Sequence, residues 1–482
     1  MSEIDTNASK NEKYYFRDRQ STISEEGKRN WIFPKRPEGK LHSYRWTFAI
    51  VLLTLLFAGP WITYKGEPFM LFNILERKFI LFGQLFWPQD FHLVVLSVIT
   101  LILFIILFTV IFGRLFCGWA CPQTIFMEFV FRKIEYLIEG DSHQQKRLSR
   151  QEWNFEKLWK KSLKHLIFYS IAVLISNTFL AYIIGVEHLK TLVTDGPLLH
   201  LGAFIALILF SGVFYFVFAF FREQVCIIAC PYGRLQGVLL DNKSIVVAYD
   251  YIRGEPKGKH NPLENRSLTN KGDCIDCSSC VAVCPTGIDI RNGTQLECIN
   301  CTACIDACNS IMKRVNLPTG LIRYESEKAI QDGKEAIFNA RTIAYSTVLT
   351  ILLFVVGTLF TLRTDVEATI MRAPGSMFQE YGPEKYSNLY KIQLVNKTRT
   401  TLPIQMKLES IDGEIILLGK PIVVESGKVS ESDFMVVIPK KLVKSSSMKI
   451  EIEIYSGEKM ITEYTTAFVG PNKLDKHHKD ED

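Results

Sequence analysis

The chain has 482 residues, of which 48% are hydrophobic and 22% are charged, and its mean hydropathy is +0.11. This combination indicates apolar blocks that alternate with soluble ones, and it excludes one large globule. The net charge of +6 is mild, and part of it comes from basic residues beside apolar segments. We therefore interpret it as charge that orients membrane helices, and not as a surface that binds nucleic acid.

The first part of the chain predicts a tail followed by membrane helices. Residues 1–40 are polar, basic and poor in aliphatic side chains, which predicts disorder, and they lack the apolar core of a signal peptide. Residues 41–240 predict a transmembrane domain, while the broken apolar segment 69–87 predicts an interfacial or re-entrant element. Five runs approach the ~20 residues of a membrane span: 44–64, 91–112, 163–184, 198–221 and 342–362.

Basic residues in the connections predict how these helices are oriented. Residues 1–45 carry ten Lys and Arg and residues 113–162 carry nine, against three in 65–90 and one in 185–197. Since basic loops stay in the cytoplasm, the N-terminus and residues 222–341 are predicted to be cytoplasmic. Residues 363–482 are then predicted to be periplasmic, in a bacterial inner-membrane protein.

Two Cys-x3-Cys-Pro motifs, 109 residues apart, follow the second and fourth predicted helices and indicate an internal repeat. If each helix continues, cysteines four positions apart share one face and can hold a soft metal with two thiolates. The proline would end or kink the helix nearby. Copper(I), an additional cluster and a dithiol redox pair are the candidate roles, in that order, and packing cysteines are the structural alternative. Nearby Arg114 and Arg222 favour the thiolate form or mark the interface. The candidate metal ligands are Cys117, Cys121, Cys226 and Cys230.

The cytoplasmic segment 241–330 carries the strongest motif, a doubled Cys-x2-Cys-x2-Cys-x3-Cys run. In two-cluster ferredoxins, the fourth cysteine of each run ligates the other [4Fe–4S] cluster. The alternative is zinc bound by the same thiolates. All twelve cysteines of the chain lie between Cys117 and Cys308, in clusters that favour metal binding over disulfides. The predicted ligands are Cys274, Cys277, Cys280 and Cys308 for the first cluster and Cys284, Cys298, Cys301 and Cys304 for the second.

The last 120 residues change to a period of two. Apolar and polar residues alternate over 390–396, 404–408 and 450–454, as in half-buried strands. These strands predict an immunoglobulin-like β-sandwich over residues 363–482, without the usual disulfide. Together with the fifth helix at 342–362, the fold class is a multi-domain membrane protein with an inserted ferredoxin-like segment.

His92 and His200 occupy comparable places in the repeat, near the outer ends of the second and fourth predicted helices. They are candidates for a haem or copper ligand role. Interfacial histidines without a motif are more often ordinary hydrogen-bonded residues, so this role stays open. No nucleotide-binding or catalytic-triad motif occurs in the sequence.

At these motifs the chain resembles the CcoG/FixG/RdxA family of cytochrome c oxidase accessory proteins. The resemblance runs over residues 60–325, through Trp87-Pro-Gln-Asp90, both Cys-x3-Cys-Pro units, Tyr249-Asp-Tyr-Ile-Arg-Gly-Glu-Pro256 and the ferredoxin runs. Ser278-Ser279 stands where the family pattern has a glycine-containing pair. The outer domain is similar in position, in length and in Asn396-Lys-Thr398.

The resemblance implies a role in the maturation of cbb3-type cytochrome oxidase, by reduction of Cu(II) to Cu(I), which would make the chain a metalloreductase. It implies oxidase subunits or copper-handling assembly proteins as partners, and a cytoplasmic or quinol electron donor. Two alternatives remain: a quinol-linked membrane electron-transfer subunit, and a non-enzymatic scaffold for oxidase assembly.

Overall fold

The computed structural model describes residues 21–471, apart from 25, 65, 74–77, 82, 87–89, 197–198, 262–265, 267–268, 334–339, 365, 374–377, 399 and 410. Within this part of the chain, five helices are long and apolar enough to cross a membrane. They coincide with the five predicted spans, so the predicted helical membrane domain is confirmed. We call them the first to fifth membrane helices: Lys40–Trp61, Phe91–Phe112, Phe155–Ile184, Leu201–Phe221 and Thr342–Thr361.

Aromatic side chains hold the helical region together. Phe131 stacks on Phe218 of the fourth membrane helix, with ring centroids 4.5 Å apart, and meets Phe168 of the third edge-on at 4.7 Å. Close packing of this kind drives helix association where lipid already surrounds the apolar surfaces. The α-helices in chain order are α1 Lys40–Ala58, α2 Phe91–Phe112, α3 Leu115–Trp119, α4 Pro122–Ile125, α5 Arg132–Ile138, α6 Ser142–Arg150, α7 Phe155–Ile184, α8 Val186–Thr194, α9 Leu201–Phe216, α10 Pro231–Leu239, α11 Tyr251–Gly254, α12 Ser279–Ala282, α13 Ala303–Arg314, α14 Glu327–Asp332 and α15 Ala340–Thr361. Single turns of π-helix occupy Phe126–Phe131, Val217–Phe221 and Val225–Ala229.

The N-terminal segment differs from the disordered tail predicted for residues 1–40. Residues 1–20 lie outside the described residues, but most of 21–39 is placed against the rest of the chain. The carbonyl oxygen of Phe33 accepts a hydrogen bond from Ser142 Oγ at 2.6 Å. The reason is local composition, because the run Trp-Ile-Phe-Pro in this segment supplies apolar side chains that a disordered tail lacks.

The ferredoxin-like segment joins the first membrane helix through one aspartate. Asp306, on α13, accepts hydrogen bonds from the backbone N–H groups of Leu41 at 3.4 Å and His42 at 2.8 Å. A carboxylate at this position satisfies free donors of the first turn and complements the helix dipole. Gly39 precedes the helix with φ 150°, and a Cβ at Gly39 would overlap the Asp306 side chain, so glycine is required there. The same segment contains two antiparallel strands, β6 Val246–Tyr249 and β7 Ile322–Glu325.

The C-terminal unit is the predicted β-sandwich. One sheet has the order β13-β15-β10-β8, with β9 beside β10, and a three-stranded sheet has the order β12-β16-β17. Tyr390, Ile392 and Leu394 are fully buried in the core, as the alternating pattern predicted. The strands are β8 Val366–Arg372, β9 Gln379–Tyr381, β10 Lys385–Asn396, β11 Leu402–Pro403, β12 Gln405–Leu408, β13 Glu414–Leu417, β14 Val423–Val424, β15 Val429–Pro439, β16 Ser447–Ser456 and β17 Lys459–Val469.

A buried ion group fixes the base of this unit. Asp90, only 2% exposed, pairs with Arg363 at 2.7 Å and with Lys397 at 2.6 Å. Lys397 also pairs with Glu367 at 2.8 Å, so each buried charge has an opposite partner. This gives a structural role to two short motifs of the resemblance, which otherwise carry no recognisable chemistry. The described strands of residues 63–86 are β1 Thr63–Tyr64, β2 Glu67–Pro68, β3 Leu71–Asn73, β4 Lys78–Leu81 and β5 Gln84–Phe86, where an interfacial or re-entrant element was predicted.

Candidate metal centres

Three cysteines of the first run and one of the second surround a small cavity of about 20 Å³. Three of its cysteines come from the loop before α12 and from α12 itself, and the fourth thiol comes from α13. Tyr249, Met312 and Leu321 close the cavity with apolar surface. The four cysteines that line it are Cys274, Cys277, Cys280 and Cys308.

The other three cysteines of the second run and the last cysteine of the first surround a second cavity, also of about 20 Å³. It is enclosed by Val247, Ile288 and Ile299, which exclude water from its wall. Cys280 also reaches this cavity, so it touches both. The cysteines of the second set are Cys284, Cys298, Cys301 and Cys304. The fourth cysteine of each run therefore lies beside the three cysteines of the other run.

Left-handed backbone shapes both cysteine loops in the same way. The residues on either side of the second cysteine of each run have positive φ angles: 53° at Asp276 and Ser278, and 53° and 63° at Asn300 and Thr302. Each such residue other than glycine costs about 1 kcal/mol, least for Asp and Asn. Alternation of right- and left-handed residues is typical of concave backbone sites that bind anions. The Asp and Asn before the second cysteines were the sequence signal for this geometry, and the sequence analysis did not use it.

The donor set fits iron–sulfur clusters. Each cavity offers four soft sulfur donors in apolar surroundings, which suits a [4Fe–4S] cubane. Burial raises the pKa of Cys298 and of Cys308 to about 12 and that of Cys301 to about 11. These three thiols therefore stay protonated at neutral pH when free, and a cationic group that binds them must displace their protons.

The cysteines of the two Cys-x3-Cys-Pro units, which we call the membrane-side cysteines, do not lie on continuous helices. Cys117 is on α3, which ends at Trp119, and Cys121 is extended, with φ −63° and ψ 123°. Cys230 repeats this geometry, with φ −75° and ψ 110°. The expectation that each pair occupies one face of an unbroken helix is therefore wrong. The prolines explain the break, since Pro starts a new helix and disfavours the helical conformation in the residue before it.

The two pairs are nevertheless folded alike. Cys121 N donates to Phe116 O at 2.9 Å and Cys230 N donates to Val225 O at 2.8 Å, and both acceptors directly precede the first cysteine of their pair. Burial, and then the nearness of the other membrane-side thiols, raises the pKa of Cys226 to about 12. The structure thus brings both pairs to one place, as a duplicated unit would.

Neither of the nearby arginines donates a hydrogen bond to a cysteine. The guanidinium of Arg114 binds the backbone carbonyls of Leu296 and Gly233. Arg222 is paired with Glu135, at 3.0 and 2.6 Å. Arg114 still contributes a weak lowering of the Cys117 pKa, but burial outweighs it and the pKa is raised to about 12.

The spacing of the thiols is wide. Within the described part of the chain, the group of three or more Cys, His, Asp or Glu residues whose ligand atoms all lie within 4.8 Å is Glu409, Glu451 and Glu463, in the C-terminal domain. A tetrahedral single ion needs closer donors, because metal–sulfur bonds are only about 2.3 Å long. A cubane holds its thiolates farther apart than a single ion does. A single ion at the membrane-side cysteines would be held by two thiols or would draw more of them together.

A buried group of charges lies between the membrane helices and the second cavity. Arg132, on α5, binds Glu128 at 2.6 Å and the carbonyl oxygen of Pro285 at 3.0 Å, directly after Cys284. Glu223 lies 3.5 Å from Arg132. The sequence analysis missed this group because its members are scattered over about a hundred residues. In the sequence, the one indication of this group is the charged pair Arg222-Glu223, directly after the fourth membrane helix.

The two histidines are not brought to any of these sites. His200 lies 3.6 Å from Asp195 and is 45% exposed. His92 is exposed at the start of α2. Among the described residues, no contact of His92 or His200 supports the haem or copper ligand role considered for them.

Comparison with known proteins gives concordant matches. A family model described as a 4Fe–4S dicluster domain matches residues 221–327, a 4Fe–4S binding domain matches 94–139, and the IG-like fold at the C-terminus of FixG matches 356–471. RdxA of Cereibacter sphaeroides is 36% identical over 76% of this chain and 79% of its own length, and RdxB of that organism is 33% identical over 85% and 89%. The chain belongs to the FixG/RdxA family. Nitrogen fixation protein FixG of Rhizobium meliloti is 34% identical over 62% of this chain and 57% of its own length.

This FixG/RdxA-family protein is a membrane iron–sulfur protein with a C-terminal immunoglobulin-like domain. All twelve of its cysteines lie inside the two matched 4Fe–4S regions. Because one of those regions contains Cys117 and Cys121, an additional cluster remains an alternative to copper at the membrane-side cysteines.

Proposed function

We propose that this protein transfers electrons in the assembly of a cbb3-type cytochrome oxidase and reduces Cu(II) to Cu(I) for its binuclear centre. The observation that carries the proposal is the contact between the two kinds of cysteine site. Cys117 packs against a buried cluster that includes Cys301 and Ile299 from the wall of the second cavity. A redox centre and a set of soft copper ligands are therefore neighbours, and Cu(I) prefers such thiolate ligands.

Each part of the chain has a defined task in this proposal. The two cavities hold one [4Fe–4S] cluster each, with the fourth cysteine of each run serving the other cluster. When bound, the clusters supply one-electron transfer. The apolar walls exclude water from the cysteines, and the membrane-side thiols receive copper and retain it after reduction. One electron converts Cu(II) to Cu(I), and the membrane-side thiols release their protons when copper binds them.

Replacement of either membrane-side pair by serine should abolish copper binding and leave the iron content and the EPR spectra of the clusters unchanged. The variants are Cys117→Ser with Cys121→Ser, and Cys226→Ser with Cys230→Ser. Cys277→Ser with Cys301→Ser should have the opposite effect, so that copper binds but is not reduced. Anaerobic copper titration with a colorimetric Cu(I) chelator distinguishes these results.

Four outcomes would count against the proposal. If the membrane-side variants bind and reduce copper like the parent, copper acts elsewhere. If they lose iron as well, the thiols belong to an additional cluster. If the cluster variants still support oxidase assembly in cells, the protein acts as a scaffold, whereas a reducible bound quinone would favour the quinol-linked alternative.

The proposed orientation has its own test. Basic residues concentrate in alternate connections, so the ferredoxin-like segment should be cytoplasmic and the outer domain periplasmic in the inner membrane. Alkaline phosphatase, which is active only after export, should be active when fused after residue 482 and inactive when fused to a chain ending at residue 333. A cytoplasmic fluorescent reporter is the matched control, and it should give the reverse. Phosphatase activity at 333 with none at 482 would invert the topology.

A further inference from the structure

The loop of the first membrane-side pair touches the backbone between two cysteines of the second run. A Cβ at Gly118 would overlap the carbonyl oxygen of Ile299 and lie 2.8 Å from that of Asn300. Gly118 has an ordinary helical backbone, so its lack of a side chain serves close approach and not an unusual φ. Nothing larger than hydrogen fits between the Cys117 loop and this backbone.

Three side chains fix this contact with hydrogen bonds. Trp119 Nε1 donates to the hydroxyl oxygen of Tyr324 at 3.1 Å, and Tyr324 donates to the Asn300 carbonyl at 2.8 Å. From the first membrane helix, buried Arg45 donates to the Gly118 carbonyl at 3.0 and 2.7 Å. We call Gly118, Trp119, Asn300 and Tyr324 the junction.

The first run has no comparable contact among the described residues. By motif position, Asp276 corresponds to Asn300, yet its side chain is 52% exposed and bonds to Arg291, whereas Asn300 is 2% exposed. Cys277 is exposed, whereas its counterpart Cys301 is buried. Two runs with the same local backbone thus face different surroundings: one faces solvent and the other faces the membrane-side thiols.

We propose that electrons enter at the first cluster and leave from the second across the junction, and that Trp119 and Tyr324 are positioning residues for this exit. This inference rests on the proposed function. A soluble one-electron reductant loses an electron to the exposed first site, and Cu(II) gains one at the membrane-side thiols. Electron transfer slows steeply with distance, and a contact that admits no side chain at Gly118 keeps the two kinds of site close together.

The test is a single-turnover measurement on the full chain in detergent. The protein is reduced with two electrons per chain from titanium(III) citrate, without excess, and mixed rapidly with Cu(II). We expect Tyr324→Phe and Trp119→Phe to slow cluster reoxidation about tenfold. Reduction by titanium(III), the cluster potentials and the EPR spectra should stay unchanged. Tyr251→Phe and Trp153→Phe, at exposed positions, are the matched controls and should react like the parent.

Variants with one cluster test the direction of transfer. With Cys277→Ser, which keeps the second cluster, reduced protein should still convert Cu(II) to Cu(I) in one turnover. With Cys301→Ser, which keeps the first, it should not. Equal rates in these two variants, or parent-like rates in both junction variants, would overturn the inference. If even the parent leaves Cu(II) unreduced, the proposed function itself fails, and ferricyanide as acceptor then shows whether the exit order still holds.

Discussion

Replacement of Cys284 by serine should destroy the cluster of the second cysteine run and spare that of the first. Cys284 belongs to the first run by sequence, yet its thiol lines the cavity formed by Cys298, Cys301 and Cys304. Serine offers a hard oxygen donor in place of a soft thiolate, so one corner of the cubane would lose its ligand. Iron should fall by about half, since each chain would lose one of two equal clusters.

The corresponding variant in the other run tests the same crossed arrangement from the opposite side. Cys308→Ser should remove the first cluster, although Cys308 belongs to the second run, because it shares a cavity with Cys274 and Cys277. EPR signals assigned with Cys277→Ser and Cys301→Ser identify which cluster is lost. If Cys284→Ser eliminates only the signal that Cys277→Ser eliminates, each run holds its own cluster and the crossed arrangement is refuted.

Glu135→Gln should be strongly destabilising at neutral pH. Glu135 is buried, accepts two hydrogen bonds from Arg222 and lies 3.5 Å from Lys164. Burial alone would raise the pKa of Glu135, but the neighbouring guanidinium and ammonium groups hold it below its ordinary value of 4.5. Loss of the carboxylate leaves the buried guanidinium of Arg222 without the charge that accepts its two hydrogen bonds, at a cost of about 3–5 kcal/mol. Thermal unfolding in detergent at pH 7 measures the loss.

Two further measurements distinguish loss of the Glu135 charge from a nonspecific loss of stability. Glu156→Gln removes an exposed i,i+4 partner of Lys160 and should leave the unfolding temperature unchanged. The depressed pKa means that the carboxylate stabilises the fold above pH 4.5 and that this contribution is lost as the pH falls through the lower folded value. The difference between parent and Glu135→Gln should therefore shrink below pH 4.5. An undiminished difference there would assign the loss to packing.

Much of the membrane fold could be predicted because hydropathy is a local property. The second predicted span, 91–112, matches its helix at both ends. The third was predicted to begin at residue 163, but its helix begins at Phe155. Its first turns carry Lys157 and Lys164, which a hydropathy window penalises, although both are largely buried in the structure through ion pairs and backbone hydrogen bonds.

The only features of the candidate site that could be predicted were those that cysteine spacing defines. Spacing identified the ferredoxin-like runs and the repeat, but it could not show that prolines break the helices between paired cysteines. The junction and the Arg222–Glu135 pair were also invisible, because their members are far apart in sequence: Trp119 and Tyr324 are separated by 205 positions. Such contacts depend on how the helices pack, and single-residue patterns carry no information about that.

The aspartate that caps the first membrane helix has a consequence for biogenesis. His42 leaves the ribosome 264 residues before Asp306. The nascent helix is therefore made before its Asp306 acceptor exists, and the cap forms only once α13 has formed. Asp306 lies between Cys304 and Cys308, which the proposed function assigns to the two clusters. In that proposal, cluster binding and the capping of the first membrane helix depend on the same structural element.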